Sequence, residues 1–167
     1  MGAQLVMEEI VAAETEVKQM WPIKYVAPES MDRPKITVNL GNTDLLRVGV
    51  QVVEPKGGET NMHAHSGLDS CWLVLGGRAK FYGYGDKLIA EAGQHEGVFI
   101  PKGVPYWFEA AGDERLEILH ITALDRNFKN DRVDYAPPVE RQAGMEGRGR
   151  PPSEEERQAA AAAVSTN

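Results

Sequence analysis

Cysteine is nearly missing from this chain: Cys71 is the only one in 167 residues, so no disulfide can form within it. No stretch approaches the ~20 apolar residues of a membrane-spanning helix. Basic residues are few and unclustered, with 18 Lys and Arg against 25 acids and a formal net charge of −7. That excludes the basic patch that nucleic acid or an anionic membrane would need. The opening MGAQLVMEEIV has neither a cationic lead nor a long apolar run, which argues against a secretory signal. Val6 stands where a myristoylation signal would need Ser or Thr. No internal repeat is present. The expectation is a cytoplasmic protein whose partner is a small molecule.

What the chain does have is glycine and proline, 17 and 10 of them, which suit short strands and tight turns better than a helix bundle. Its length suits one domain with a single core. Residues 3–20 carry Val6, Ile10, Ala13, Val17 and Met20 at helical spacing, a packing helix ended by Trp21-Pro22. Residues 22–34 read as an extended arm. From residue 35 the period changes to two: Ile36, Val38 and Leu40, then Leu46, Val48, Val50 and Val52, each set the buried face of a strand. Gly85-Asp86 marks a hairpin. Leu116, Ile118, His120 and Thr122 share one face of a last long strand. After residue 125 the alternation stops, and Ser153-x-x-Glu156 is a capping-box signature before an alanine run. The organisation expected is a helix and extended arm over residues 1–34, a β-barrel over 35–124, and a loosely ordered extension with a short helix over 125–167. The fold class is all-β, a double-sheet jelly roll or barrel.

One stretch carries chemistry. In residues 57–76, GGETNMHAHSGLDSCWLVLG, the imidazoles of His63 and His65 alternate onto one side of a strand, and a turn at Ser66-Gly67 returns Asp69 beside them. Two neutral imidazoles and a carboxylate suit a divalent transition metal. Asp69 is also placed to bind through water, to hold an imidazole N–H, or to cap the turn. By alternation Cys71, Leu73 and Leu75 share the Asp69 face, and Trp72 and Val74 take the other.

Gly57, His63-x-His65, Asp69 and Gly76 together resemble the first signature of the cupin family, with Asp for the usual Glu. Pro101-Lys102-Gly103-Val104-Pro105 is similar to the Pro-x-Gly turn of its second signature. The family's third metal-binding His falls at Tyr106 and its Asn at Ala110, and the resemblance spans residues 45–123. It implies a cupin double-stranded β-helix and a metal (iron, manganese, nickel or zinc) held by His63, His65 and Asp69. His120 either replaces the lost ligand or is a core histidine bonded to a carbonyl. Tyr106 is expected in the pocket rather than on the metal, and with His120 it is a candidate catalytic group. Cys71, Trp72 and Phe108 are expected to line the cavity. The leading reading is a metal-dependent, dioxygenase-type oxidoreductase acting on a ketone, diketone or phenol. The alternatives are a metal-dependent isomerase, cyclase or lyase, acid–base chemistry by Asp69, Tyr106 and His120 without metal, or a non-catalytic small-ligand-binding cupin. Cupins commonly pair, so a homodimer is expected by analogy.

Overall fold

Two five-stranded antiparallel sheets stack face to face in the computed structural model, which describes residues 19–56, 58–135 and 149–165. The strands are β1 (Lys35–Asn42), β2 (Leu46–Val53), β3 (His63–His65), β4 (Leu68–Gly76), β5 (Ala79–Gly83), β6 (Lys87–Ala92), β7 (Gly97–Ile100), β8 (Tyr106–Ala110), β9 (Leu116–Leu124) and β10 (Arg132–Asp134). One sheet runs β1-β2-β9-β4-β7 and the other β10-β3-β8-β5-β6. This is the expected jelly roll. The predicted N-terminal helix falls almost wholly outside the described residues. No helix among the described residues is long and apolar enough to cross a membrane. The hairpin turns where Gly-Asp predicts it, in a 3-10 turn over Tyr84–Asp86 with positive φ at Gly85 (73°) and Asp86 (60°).

Between the sheets lie Val53, Trp72, Val74, Phe81, Tyr106, Phe108, Leu116 and Ile118, packed as one cluster. Their inward direction fixes the parity of every strand in the pairing. Trp72 and Gly49 both lie opposite His120, and Val53 lies opposite both Leu116 and Lys35, so Gly49, Val53, Lys35 and His120 face the barrel interior. On β4 the parity is therefore the reverse of the expectation. Ser70, Trp72 and Val74 point in; Asp69 is exposed and Cys71 lies on the outer face. The sequence reading put the longer apolar set, Cys71, Leu73 and Leu75, inside. The barrel instead takes the bulky indole, whose volume fills the space between the sheets.

The same reversal holds on the first two strands. Val50 and Val52 are fully buried, but they lie on the outer face of their sheet, together with Ile36 and Val38. The arm before β1 covers this face. The Arg115 guanidinium donates to the Pro28 carbonyl at 3.0 Å, and the Tyr25 hydroxyl lies beside Glu117, opposite Val52. The apolar stripe of β1 and β2 thus meets the arm, and the polar alternates Lys35 and Gln51 turn inward.

The extension contributes to the barrel. β10 pairs with β3 in the register Arg132↔His65, Val133↔Ala64, Asp134↔His63. A helix, α1 (Glu154–Ser165), follows, with Ala160 buried. Its capping box forms as read: Ser153 Oγ accepts from Glu156 N, and Glu156 Oε2 accepts from Ser153 N at 2.7 Å.

Candidate functional site

His63, His65 and His120 converge on a cavity of about 100 Å³ inside the barrel, lined also by Lys35, Gln51, Trp72, Tyr106, Phe108 and Arg132. The His-x-His alternation works as the sequence predicts. Both rings face in, 5.3 Å apart between centroids and at right angles. His63 Nδ1 lies 2.7 Å from the Asn61 carbonyl. A carbonyl only accepts, so the neutral ring carries its proton on Nδ1 and presents Nε2 as an acceptor. His120 stacks on the Trp72 indole at 3.6 Å and 5°, and its Nε2 shares a hydrogen bond with Ser70 Oγ at 3.1 Å.

Burial dominates the electrostatics. It pulls His65 down to about 4 and His120 to about 3, and it holds His63 well below its usual range, with Arg132 and Lys35 adding to the effect on His63. All three imidazoles are neutral at pH 7. Burial likewise pushes the Tyr106 hydroxyl up to about 12, so it is a neutral phenol there. Lys35 is brought down to about 8 by burial and by the neighbouring Arg132 charge. The Arg132 guanidinium donates through Nε to Asp134 at 2.8 Å and through Nη2 to Asn61 Oδ1. Lys35 has no ion-pair partner among the described residues; its ammonium sits 5.6 Å from the Phe108 ring centre.

Two polar atoms on this wall are buried without a hydrogen-bond partner, Gln51 Oε1 and His65 Nδ1, while the Trp72 indole N–H lies by the Tyr106 hydroxyl. An unsatisfied buried polar atom is costly, and its presence around a cavity marks the place where a ligand or water would complete it.

Asp69 does not join the site. It is exposed, and Oδ1 accepts the Lys102 backbone N–H at 2.8 Å, which anchors the turn before β8. The spacing that links Asp69 to Gly76 also links Ser70 to Gly77, and Gly77 is the glycine whose φ is positive, 75°. The residue aimed inward where the family's acid would stand is Ser70. Cys71 is likewise turned away from the cavity. Of the predicted set, His63, His65, His120, Trp72, Tyr106 and Phe108 are brought together; Asp69 and Cys71 are not.

This donor set does not fit a divalent metal. Serine replaces the acid and a neutral phenol the third histidine. Among the described residues no three His, Cys, Asp or Glu side chains form a metal-binding group. His120 is occupied by Ser70 and Trp72, and the Lys35 and Arg132 charges face the imidazoles that would carry a cation. Sequence reading missed Lys35, Gln51, Ser70 and Arg132. The available signal was the polar alternate on each strand, which a pattern search assigns to solvent.

Residues 49–122 match a family model described as a cupin domain. The fold is similar to that of an uncharacterized conserved protein with a double-stranded beta-helix domain from Klebsiella pneumoniae (TM-score 0.54, 22% identity, 69% of this chain and 91% of that one). It is also similar to the cupin domain of Cnp3 from Schizosaccharomyces pombe (0.53, 15%, 62% and 74%). A third similar structure is an RmlC-like cupin protein from Desulfovibrio desulfuricans (0.51, 19%, 64% and 96%). At these identities the likeness is one of fold. A comparison with curated proteins finds no match. With its two facing sheets and inward His-x-His pair, the part of the chain at residues 49–122 is a cupin domain.

Proposed function

We propose that this cupin is a small-molecule-binding protein that holds a polar organic ligand inside its barrel by direct hydrogen bonds, without a metal. The observation that carries the reading is the set of unpartnered polar groups around one cavity: Gln51 Oε1, His65 Nδ1 and the unpaired Lys35 ammonium. A wall of this kind orients a ligand through a few placed donors and acceptors, and aromatic faces fill the remaining contact. Trp72, Tyr106 and Phe108 supply those faces.

The metal-dependent dioxygenase, isomerase or lyase readings would require a third ligand and a compensating negative charge, for which the inward faces of β4 and β8 offer Ser70 and Tyr106. Elemental analysis of untagged protein separates the two readings. Sub-stoichiometric metal, together with unchanged ligand binding after chelation, supports direct binding. Near-stoichiometric iron, manganese, nickel or zinc, lost in His63→Ala and His65→Ala along with binding, overturns it. The expected homodimer would cover Phe99, which is 83% exposed on β7. Sedimentation of Phe99→Glu as a monomer, beside a dimeric wild type, would support that pairing.

A further inference from the structure

The chemical class of the ligand follows from which wall atoms donate and which accept. On the donor side stand the Lys35 ammonium and the Arg132 guanidinium, whose Nη1 takes part in neither bond to Asp134 or Asn61. On the acceptor side stand Gln51 Oε1 and His63 Nε2, the latter fixed as an acceptor by the Nδ1 bond to the Asn61 carbonyl. Around Lys35 stand His63, His120 and Arg132, and among the described residues the acid close to them is Asp134, which is already bridged to Arg132 at 2.8 Å. The cavity therefore holds one cation without a counter-ion. A volume of about 100 Å³ accommodates a molecule of roughly six non-hydrogen atoms.

We infer that the ligand is a small hydroxy acid of glycolate or lactate size, its carboxylate against Lys35 and its hydroxyl donating to His63 Nε2 or Gln51 Oε1. A carboxylate supplies the missing counter-charge and accepts the stranded donors. A neighbouring hydroxyl supplies the proton that the wall acceptors need, and an acid without it leaves those acceptors unsatisfied. Steric fit alone would also admit a neutral diol or amide; the unpaired ammonium decides against them. This inference rests on the reading of direct, metal-free binding.

The test compares L-lactate, propionate and lactamide by calorimetric titration of the full chain, with Lys35→Met as the variant. Lactate is expected to bind tightest, and lactamide and the Lys35→Met variant with lactate are each expected to lose about 10- to 100-fold, the loss of a charge-assisted hydrogen bond. Propionate should fall between. Lys35→Met should melt no lower than wild type, because it removes an enclosed charge and keeps the stem, so weakened binding is not a folding defect. If lactamide binds as well as lactate, or Lys35→Met binds lactate as wild type does, the carboxylate assignment falls while metal-free binding stands. If none of the three binds until metal is added, both fall.

Discussion

Three neutral imidazoles inside one barrel make the protein acid-sensitive over a pH range in which its carboxylates stay ionised. In the unfolded chain a histidine titrates near ~6.5. In the fold, burial brings His65 to about 4 and His120 to about 3. A base whose folded pKa is depressed binds fewer protons in the native state than in the unfolded one, so stability falls as pH drops through ~6.5 and levels only near the folded values. At pH 5 each of these two histidines should have lost about 2 kcal/mol relative to pH 7.5, about 4 kcal/mol together. His63, shifted in the same direction, adds to the loss. Acidic groups whose pKa is lowered, such as Glu156 at about 2, lose their contribution only at lower pH and do not confuse the window. Urea unfolding at pH 7.5, 6 and 5 should show the midpoint falling with little change in slope, and the melting temperature dropping by roughly 10 °C. His65→Gln should flatten the profile by about 2 kcal/mol at pH 5. A stability change below about 1 kcal/mol across this range would mean that the imidazoles are solvated or already charged, and the cavity described here would be wrong.

At the other end of the scale Lys35 works in the opposite window. Held to about 8 in the fold against ~10.5 unfolded, it should let stability rise from pH 8 to about 10, a rise absent in Lys35→Met melting curves. Asp69→Ala should leave lactate titrations unchanged and cost at most about 1 kcal/mol, the worth of its bond to the Lys102 N–H. Gly97→Ala should cost several kcal/mol in thermal melting, because a Cβ there would collide with the Trp72 carbonyl oxygen of the neighbouring strand. Gly103→Ala should cost only about 1 kcal/mol, since its φ of 81° is unfavourable to alanine but no atom lies within 4 Å of the added methyl. Ser153→Ala should remove the α1 cap and about 1 kcal/mol of local stability, seen as faster amide exchange confined to residues 154–165.

The fold was legible because it depends on features with a short range. Alternation, the Gly85-Asp86 turn, the Pro-x-Gly turn and the Ser153-Glu156 box each involve a few neighbouring residues, and each appears where the sequence places it. The His-x-His pair was legible for the same reason: two residues apart on a strand, they share a face whichever face that is. β10 was not, because a three-residue strand carries no periodicity to read, and its place beside β3 is a long-range fact.

Which face is inward is a different kind of question, and the site turned on it. Alternation gives two faces to each strand but names neither, and the rule that the apolar set goes inside holds only when the interior is the one apolar environment available. Here there are two. Val50 and Val52 are buried on the outer face, where the arm before β1 reaches Arg115 and Glu117, and the inner faces of β1 and β2 are left to Lys35 and Gln51. On β4 one step of parity separates Asp69 from Ser70, and with it a wall that would attract a cation from a wall that would repel one. The consequence reaches across the barrel. With no inward carboxylate from β4, the acid that comes near among the described residues is Asp134 on β10, and it is spent on Arg132 two residues away. The charge of Lys35 is thus left unbalanced by the fold itself, not by any one substitution. Restoring an acid at Ser70 would both pair that lysine and rebuild a cation site, so Ser70→Glu should exchange affinity for lactate against affinity for a divalent metal. A Ser70→Glu protein that gained metal and kept its lactate affinity would show that the two chemistries use different walls, and would break the link drawn here between the parity of β4 and the charge of the pocket.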